Sequence, residues 1–182
     1  TARQIFTYVL RDLADPQGAF YCAEDADSEG VEGKFYLWTE DEIKSVLTHE
    51  DAELFLSTYR HEADRGVPAM QEMAPGTFIP HLKHLPQDAA LTDESPESDR
   101  MKKILTTLFE VRNSRIHPHK DEKILTDWNG LMMAALARGG QAFDEPVYID
   151  AAKRAMEFIY HNLQTPEGRL MHMFCDGQSR VD

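Results

Sequence analysis

A helix, then a proline–glycine turn, then a short apolar stretch occurs twice in this chain. Asp15-Pro16-Gln17-Gly18-Ala19-Phe20-Tyr21 matches Thr165-Pro166-Glu167-Gly168-Arg169-Leu170-Met171, with the prolines 150 positions apart. Proline fixes φ and glycine supplies a positive φ, so the pattern turns the chain sharply. Each apolar stretch leads to a cysteine and then to acidic residues. The simplest reading is one unit used twice: helix, turn, short β-hairpin, next helix. The other is coincidence, because Pro and Gly are common in turns. Repeated helical hairpins that bury one face against a neighbour point to a solenoid or a closed helical ring.

Periodicity fills in the rest. Ile5, Val9 and Leu13 form a stripe that predicts a helix over residues 1–14. The aromatic-rich stretches 19–21 and 34–38 read as strands on either side of an acidic loop. Thr39-Glu40-Asp41-Glu42 fits a capping box opening a helix to about Leu47. A second short helix is expected near 51–59, with Ala52, Phe55, Leu56 and Tyr59 on one face. Residues 60–95 hold four prolines and no clear period, and read as a long irregular loop. Ser95 before Pro96 predicts a helix start, with Met101, Ile104, Leu105, Leu108 and Val111 as its stripe. Thr126 or Asp127 is expected to cap a helix that Gly139-Gly140 weakens near Ala142. Another helix opens at Pro146, and residues 170–174 and 178–181 form a hairpin around Asp176-Gly177. The fold class is mainly α, a partial (α/α)6 toroid of helical hairpins with short β-hairpins on the rim.

The length, 182 residues, fits one domain or part of a larger one. No apolar run approaches the roughly 20 residues that cross a bilayer. Lys and Arg total 19 against 32 Asp and Glu, a net charge of −13. That balance argues against nucleic acid and anionic membrane partners, which need a cationic footprint. Cys22 and Cys175 form no C-x-x-C pair and suggest no disulfide framework, so a reducing, cytoplasmic setting is expected. The chain starts at Thr1 without a leader and reads as an internal fragment.

Two constellations carry candidate chemistry. The first is the acidic loop from Glu24 through Asp25, Asp27, Glu29 and Glu32 to Gly33. Its carboxylates can serve as a general acid and base, or form a solvated turn between strands. A calcium loop fails, because Tyr36 stands where the bidentate Glu belongs. Tyr36 and Trp38 flank the loop. Rings beside carboxylates suit a sugar, whose apolar faces stack while its hydroxyls donate, but rings also pack cores. The second constellation is His117-Pro118-His119 with Thr126-Asp127-Trp128-Asn129. Here Trp128 and Asn129 form a pocket floor with His119 as proton donor or acceptor, or Asp127 is a cap and Trp128 core. His81-x-x-His84 has no partner ligands in view, so no metal and no cofactor are expected. No serine-hydrolase elbow, P-loop, dinucleotide fingerprint or zinc-protease helix is present.

The stretch Gly18-Ala19-Phe20-Tyr21-Cys22-Ala23-Glu24-Asp25-Ala26-Asp27-Ser28-Glu29-Gly30, continuing to Thr39, resembles a signature of the YyaL-like, spermatogenesis-associated thioredoxin-domain family. Pro118-His119-Lys120-Asp121-Glu122-Lys123-Ile124-Leu125-Thr126-Asp127-Trp128-Asn129-Gly130-Leu131-Met132 resembles its second signature. The resemblance implies a thioredoxin-like domain, lying before Thr1, and an (α/α)6 toroid similar to sugar 2-epimerases and six-hairpin glycosidases. Asp127 stands where the family more often has Ser, and residues 60–84 depart from its Gly-Asn-rich stretch. The family brings no settled reaction with it.

Two functions follow as expectations. One is a carbohydrate-active module, an epimerase, isomerase or glycosidase relative. Asp25, Asp27, Glu29 and His119 are its acid–base candidates. Glu24, Tyr36, Trp38, Trp128 and Asn129 are its sugar contacts. The other is a non-catalytic interaction module serving a thioredoxin-like domain. A slice of a ring would also expose apolar helix faces and self-associate.

Overall fold

A computed structural model describes residues 1–60, 76–82 and 96–180. Helices dominate these residues: α1 Ala2–Tyr8, α2 Glu40–Val46, α3 His49–Thr58, α4 Pro96–Asn113, α5 Thr126–Phe143 and α6 Pro146–Asn162. None of them is long and apolar enough to cross a membrane. The chain divides into two compact units, Thr1–Asp25 with Lys120–Asp182, and Ala26–His119.

In the first unit α5 and α6 form a helical hairpin. Asp144 closes α5 in the left-handed region (φ 55°), and Pro146 sits in the first turn of α6. α1 continues as a π-helical turn, Val9–Leu13. Phe6 and Val9 pack with Phe20, Leu136, Tyr148, Ala151 and Ala155. The Phe6 and Tyr148 ring centroids are 4.8 Å apart. Gly139-Gly140, expected to weaken α5, lies buried inside it, and the helix runs on to Phe143. The glycines are close-approach points. A Cβ on Gly139 would stand 2.8 Å from Phe6 Cζ, and one on Gly140 2.5 Å from Ile149 Cγ1. The missing Cβ permits these close approaches, against a propensity cost of roughly 1 kcal/mol for a helical glycine.

The repeated turns have the same hydrogen bonds. Asp15 N donates to Ala19 O, Gly18 N to Asp15 O and Tyr21 N to Leu13 O, at 2.8, 2.9 and 2.9 Å. Thr165 N, Gly168 N and Met171 N repeat these bonds 150 positions later, at 2.8, 2.9 and 2.7 Å. The bridge between Ala14 and Phe20 recurs between Gln164 and Leu170. Gly18 and Gly168 both hold positive φ, 111° and 83°. The predicted strand at 19–21 is thus only a bridge, and regular pairing begins at Ala23–Glu24, against Lys120–Asp121. After the second turn, Met173–Cys175 pairs with Ile124–Leu125 and, as predicted, with Gln178–Arg180. Val181, included in that predicted hairpin, lies outside the described residues. The two copies of the unit therefore both pair with one short segment, residues 120–125.

In the second unit the acidic loop is itself a hairpin. Asp27–Ser28 pairs with Val31–Glu32 around Glu29-Gly30, both with positive φ, as a tight hairpin turn requires. The strand predicted over 34–38 is not one. Gly33 enters the left-handed region (φ 72°), residues Lys34–Tyr36 coil into a 3-10 turn, and the chain is extended from Leu37, with only Trp38–Thr39 paired as a strand. That pair joins Thr77–Phe78, and Tyr59–Arg60 joins His81–Leu82. Thr77–Phe78 and His81–Leu82 lie inside the stretch read as an irregular loop; Ser95 and His84 fall outside the described residues.

The capping box forms as read. Glu42 N donates to Thr39 Oγ1 at 3.1 Å, and Thr39 N donates to Glu42 Oε2 at 2.8 Å. Thr48 caps α3 through Asp51 N. Trp38, Ile43, Phe55, Phe78, Ile104 and Leu108 make this unit's core. The Arg115 guanidinium fastens the turn to that core. It lies 4.2 Å from the Trp38 ring centroid and donates to the carbonyls of Phe35 and Leu37 at 3.0 and 2.6 Å.

Candidate functional site

Asn129 joins the two signature motifs. Phe20 N donates to its Oδ1 at 2.8 Å, and its Nδ2 donates to Phe20 O and Leu125 O, both at 2.9 Å. The residue is 2% exposed. Burial makes these bonds obligatory, since an unmade bond here would leave a polar group dry. Nearby, Cys22 N donates to Lys123 O at 2.9 Å. The carboxamide read as pocket floor is fully engaged in holding the Gly18–Tyr21 turn against the start of α5.

The start of α5 lacks the expected side-chain cap from Thr126 or Asp127. Leu125 is the N-cap residue and offers no side-chain bond. The Thr126 hydroxyl donates to Met171 O at 2.6 Å instead, and Asp127 Oδ1 accepts from Trp128 N at 3.0 Å. Trp128 points outward, 53% exposed, and Leu131 on the same face is 73% exposed. An indole placed so is a ready stacking surface.

Glu24, on the strand paired with Lys120–Asp121, accepts from the Tyr8 hydroxyl at 2.8 Å and is partly buried. Asp25 follows it and is exposed. Tyr21 donates to Asp15 at 2.9 Å. Burial, and then that carboxylate, push its phenol up to about 12. Both thiols are pushed up, first by burial, so Cys22 and Cys175 are protonated and weakly nucleophilic at neutral pH.

The remaining candidates belong to the second unit. Asp27 is exposed and stands opposite Glu32 in the acidic hairpin. Glu29 pairs with Lys34 at 2.6 Å. His119 is exposed. Its neighbour His117 packs against Phe35 with the rings tilted by 40° and centroids 4.6 Å apart, and its Nε2–H donates to Asn113 O at 3.1 Å. Trp38 is 4% exposed and is core, as the alternative reading had it. Tyr36 is partly buried, edge-on to Phe35. The structure thus puts Glu24, Asp25, Trp128 and Asn129 in one unit, and Asp27, Glu29, Tyr36, Trp38 and His119 in the other. Among the described residues no group of three or more His, Cys, Asp or Glu could hold a metal.

The second unit has a feature that the motifs do not announce, an apolar cleft of about 200 Å³. Buried Phe55 and Leu108 line it with partly buried Tyr36, Tyr59 and Phe109, and with Arg112. The signal for it lies in α4, where Leu105, Leu108, Phe109 and Arg112 follow helical spacing.

A Caenorhabditis elegans uncharacterized protein is 31% identical over 174 residues, 85% of this chain and 24% of its own length. Spermatogenesis-associated protein 20 of Homo sapiens is 30% identical over 192 residues, 93% of this chain and 24% of its own. The Rattus norvegicus protein of that name is 28% identical over the same shares. The spermatogenesis-associated family is the one these relatives support. No family model matches the chain. The chain spans about a quarter of the length of these curated relatives.

Proposed function

We propose that this chain is part of an (α/α)6 toroid in a cytoplasmic protein with a thioredoxin-like domain, and that it acts on carbohydrate as a relative of sugar epimerases or glycosidases. The observation that supports this reading is Trp128. A half-exposed indole stands on the helix that Asn129 ties to the turn leading into Glu24 and Asp25. In the proposed complex the apolar face of a pyranose stacks on Trp128, and sugar hydroxyls donate to the carboxylates. Asp25 is the acid–base candidate of that unit; Asp27, Glu29 and His119 are those of the other. The test is thermal unfolding of the protein against a panel of neutral and amino sugars. A sugar at ten times its Kd adds about 1.4 kcal/mol, or roughly 3–6 °C. Trp128→Ala, a change at a surface position, should abolish the shift. Silence across the panel, or a shift that survives in the variant, would refute the reading.

A second reading, a non-catalytic interaction module attached to the thioredoxin-like domain, draws on Leu131, 73% exposed one turn after Trp128. It expects no response to sugars, together with concentration-dependent sedimentation that Leu131→Asp removes. Sedimentation that ignores Leu131→Asp would exclude it.

A further inference from the structure

We propose that the cleft of the second unit is a binding site for a single-ring aromatic carboxylate, independent of any sugar site. Its volume, about 200 Å³, is the first argument. An apolar protein cavity of roughly 150 Å³ takes up benzene, so this one holds a ring and a small substituent. Its lining is the second. Phe55 and Tyr59 stack with centroids 4.8 Å apart, and burial holds the Tyr59 phenol neutral by pushing its pKa up. A sugar placed there would lose water from several hydroxyls against apolar walls, at about 1–3 kcal/mol for each one left unbonded. A flat ring loses little and gains contact with aromatic neighbours.

Charge is the third argument. Arg112, which borders the cleft, lies 5.5, 5.2 and 5.5 Å from the ring centroids of Phe35, Tyr36 and Phe109. Rings engage the faces of a guanidinium, whereas its N–H groups lie in its plane. A guanidinium at the border of the cleft favours an anionic substituent on the ring, and a planar carboxylate matches its N–H fork. The mouth is open to such a ligand: Ile79 and Leu105, both in the lining, are each 39% exposed.

The test is calorimetric and ligand-observed NMR titration of the protein with benzoate, benzyl alcohol and glucose. Benzoate should bind more tightly than benzyl alcohol, and glucose should not bind the cleft. Leu105→Trp fills the mouth from a partly exposed position and should weaken benzoate by about tenfold or more. Arg112→Gln should weaken benzoate by about fivefold and benzyl alcohol by less than about twofold. Circular dichroism and the melting temperature of both variants confirm that they are folded. Three results would overturn the proposal: no benzoate binding up to about 10 mM, benzoate affinity unchanged in folded Leu105→Trp, or equal losses for both ligands in folded Arg112→Gln. None of them bears on sugar binding at Trp128, so the two proposals stand or fall separately.

Discussion

Asn129 shows how one side chain can hold two distant stretches of sequence together. Its carboxamide satisfies both backbone groups of Phe20, 109 positions away. Asn129→Ala would leave that buried N–H and C=O without partners. At about 1–3 kcal/mol for each, the variant should lose about 2–6 kcal/mol, read as a lower urea midpoint with unchanged slope. Tyr21 gives a pH signature. Its phenol is raised to about 12 in the folded chain, from 10.0. The stabilisation is therefore complete below pH 10 and fades as pH climbs toward 12, where the unfolded tyrosine has already lost its proton. Tyr21→Phe should flatten that part of the stability profile and remove a late step of the phenolate absorbance titration, near pH 12. At this scale the sequence is ambiguous. A buried amide that serves a ligand and one that serves the backbone look alike in it, and so do a stacking tryptophan and a core one. Trp38 and Trp128 both stand beside carboxylates, yet one is core and the other surface.

Among the elements, patterns with a local cause were legible. The Thr39–Glu42 box needs only four consecutive residues, and the twin proline–glycine turns need seven, so both could be read directly. Residues 34–38 could not. Their aromatic content favours a strand, but the left-handed Gly33 sends them into a 3-10 turn that buries Phe35. Gly139 was opaque for a related reason: its role depends on Phe6, over a hundred positions earlier. This sets up a matched pair of substitutions within α5. A Cβ at Gly130 meets nothing within 4 Å, so Gly130→Ala should add about 0.5–1 kcal/mol through helix propensity. Gly139→Ala gains the same propensity but drives a methyl into the Phe6 ring, and should lose about 1–3 kcal/mol. Chemical denaturation of the two variants should give changes of opposite sign. A stabilising Gly139→Ala would mean that the α1–α5 contact is looser than described.

Across the whole molecule, the sequence reading expects the 18–39 and 118–132 motifs to converge, and the Ala23–Glu24 pairing with Lys120–Asp121 joins part of each in one unit. It does not foresee the division at Asp25, which separates the acidic candidates, because that boundary depends on contacts rather than on composition. The chain has two tryptophans, one in each unit: Trp128 is the proposed sugar contact, and Trp38 lines the apolar cleft. The most direct test of the sugar proposal is therefore the pair of indole N–H resonances in an NMR titration. If carbohydrate is the ligand, a sugar from the panel will move the Trp128 resonance in a saturable way and leave that of Trp38 in place. If every sugar leaves Trp128 unmoved, the carbohydrate account is wrong.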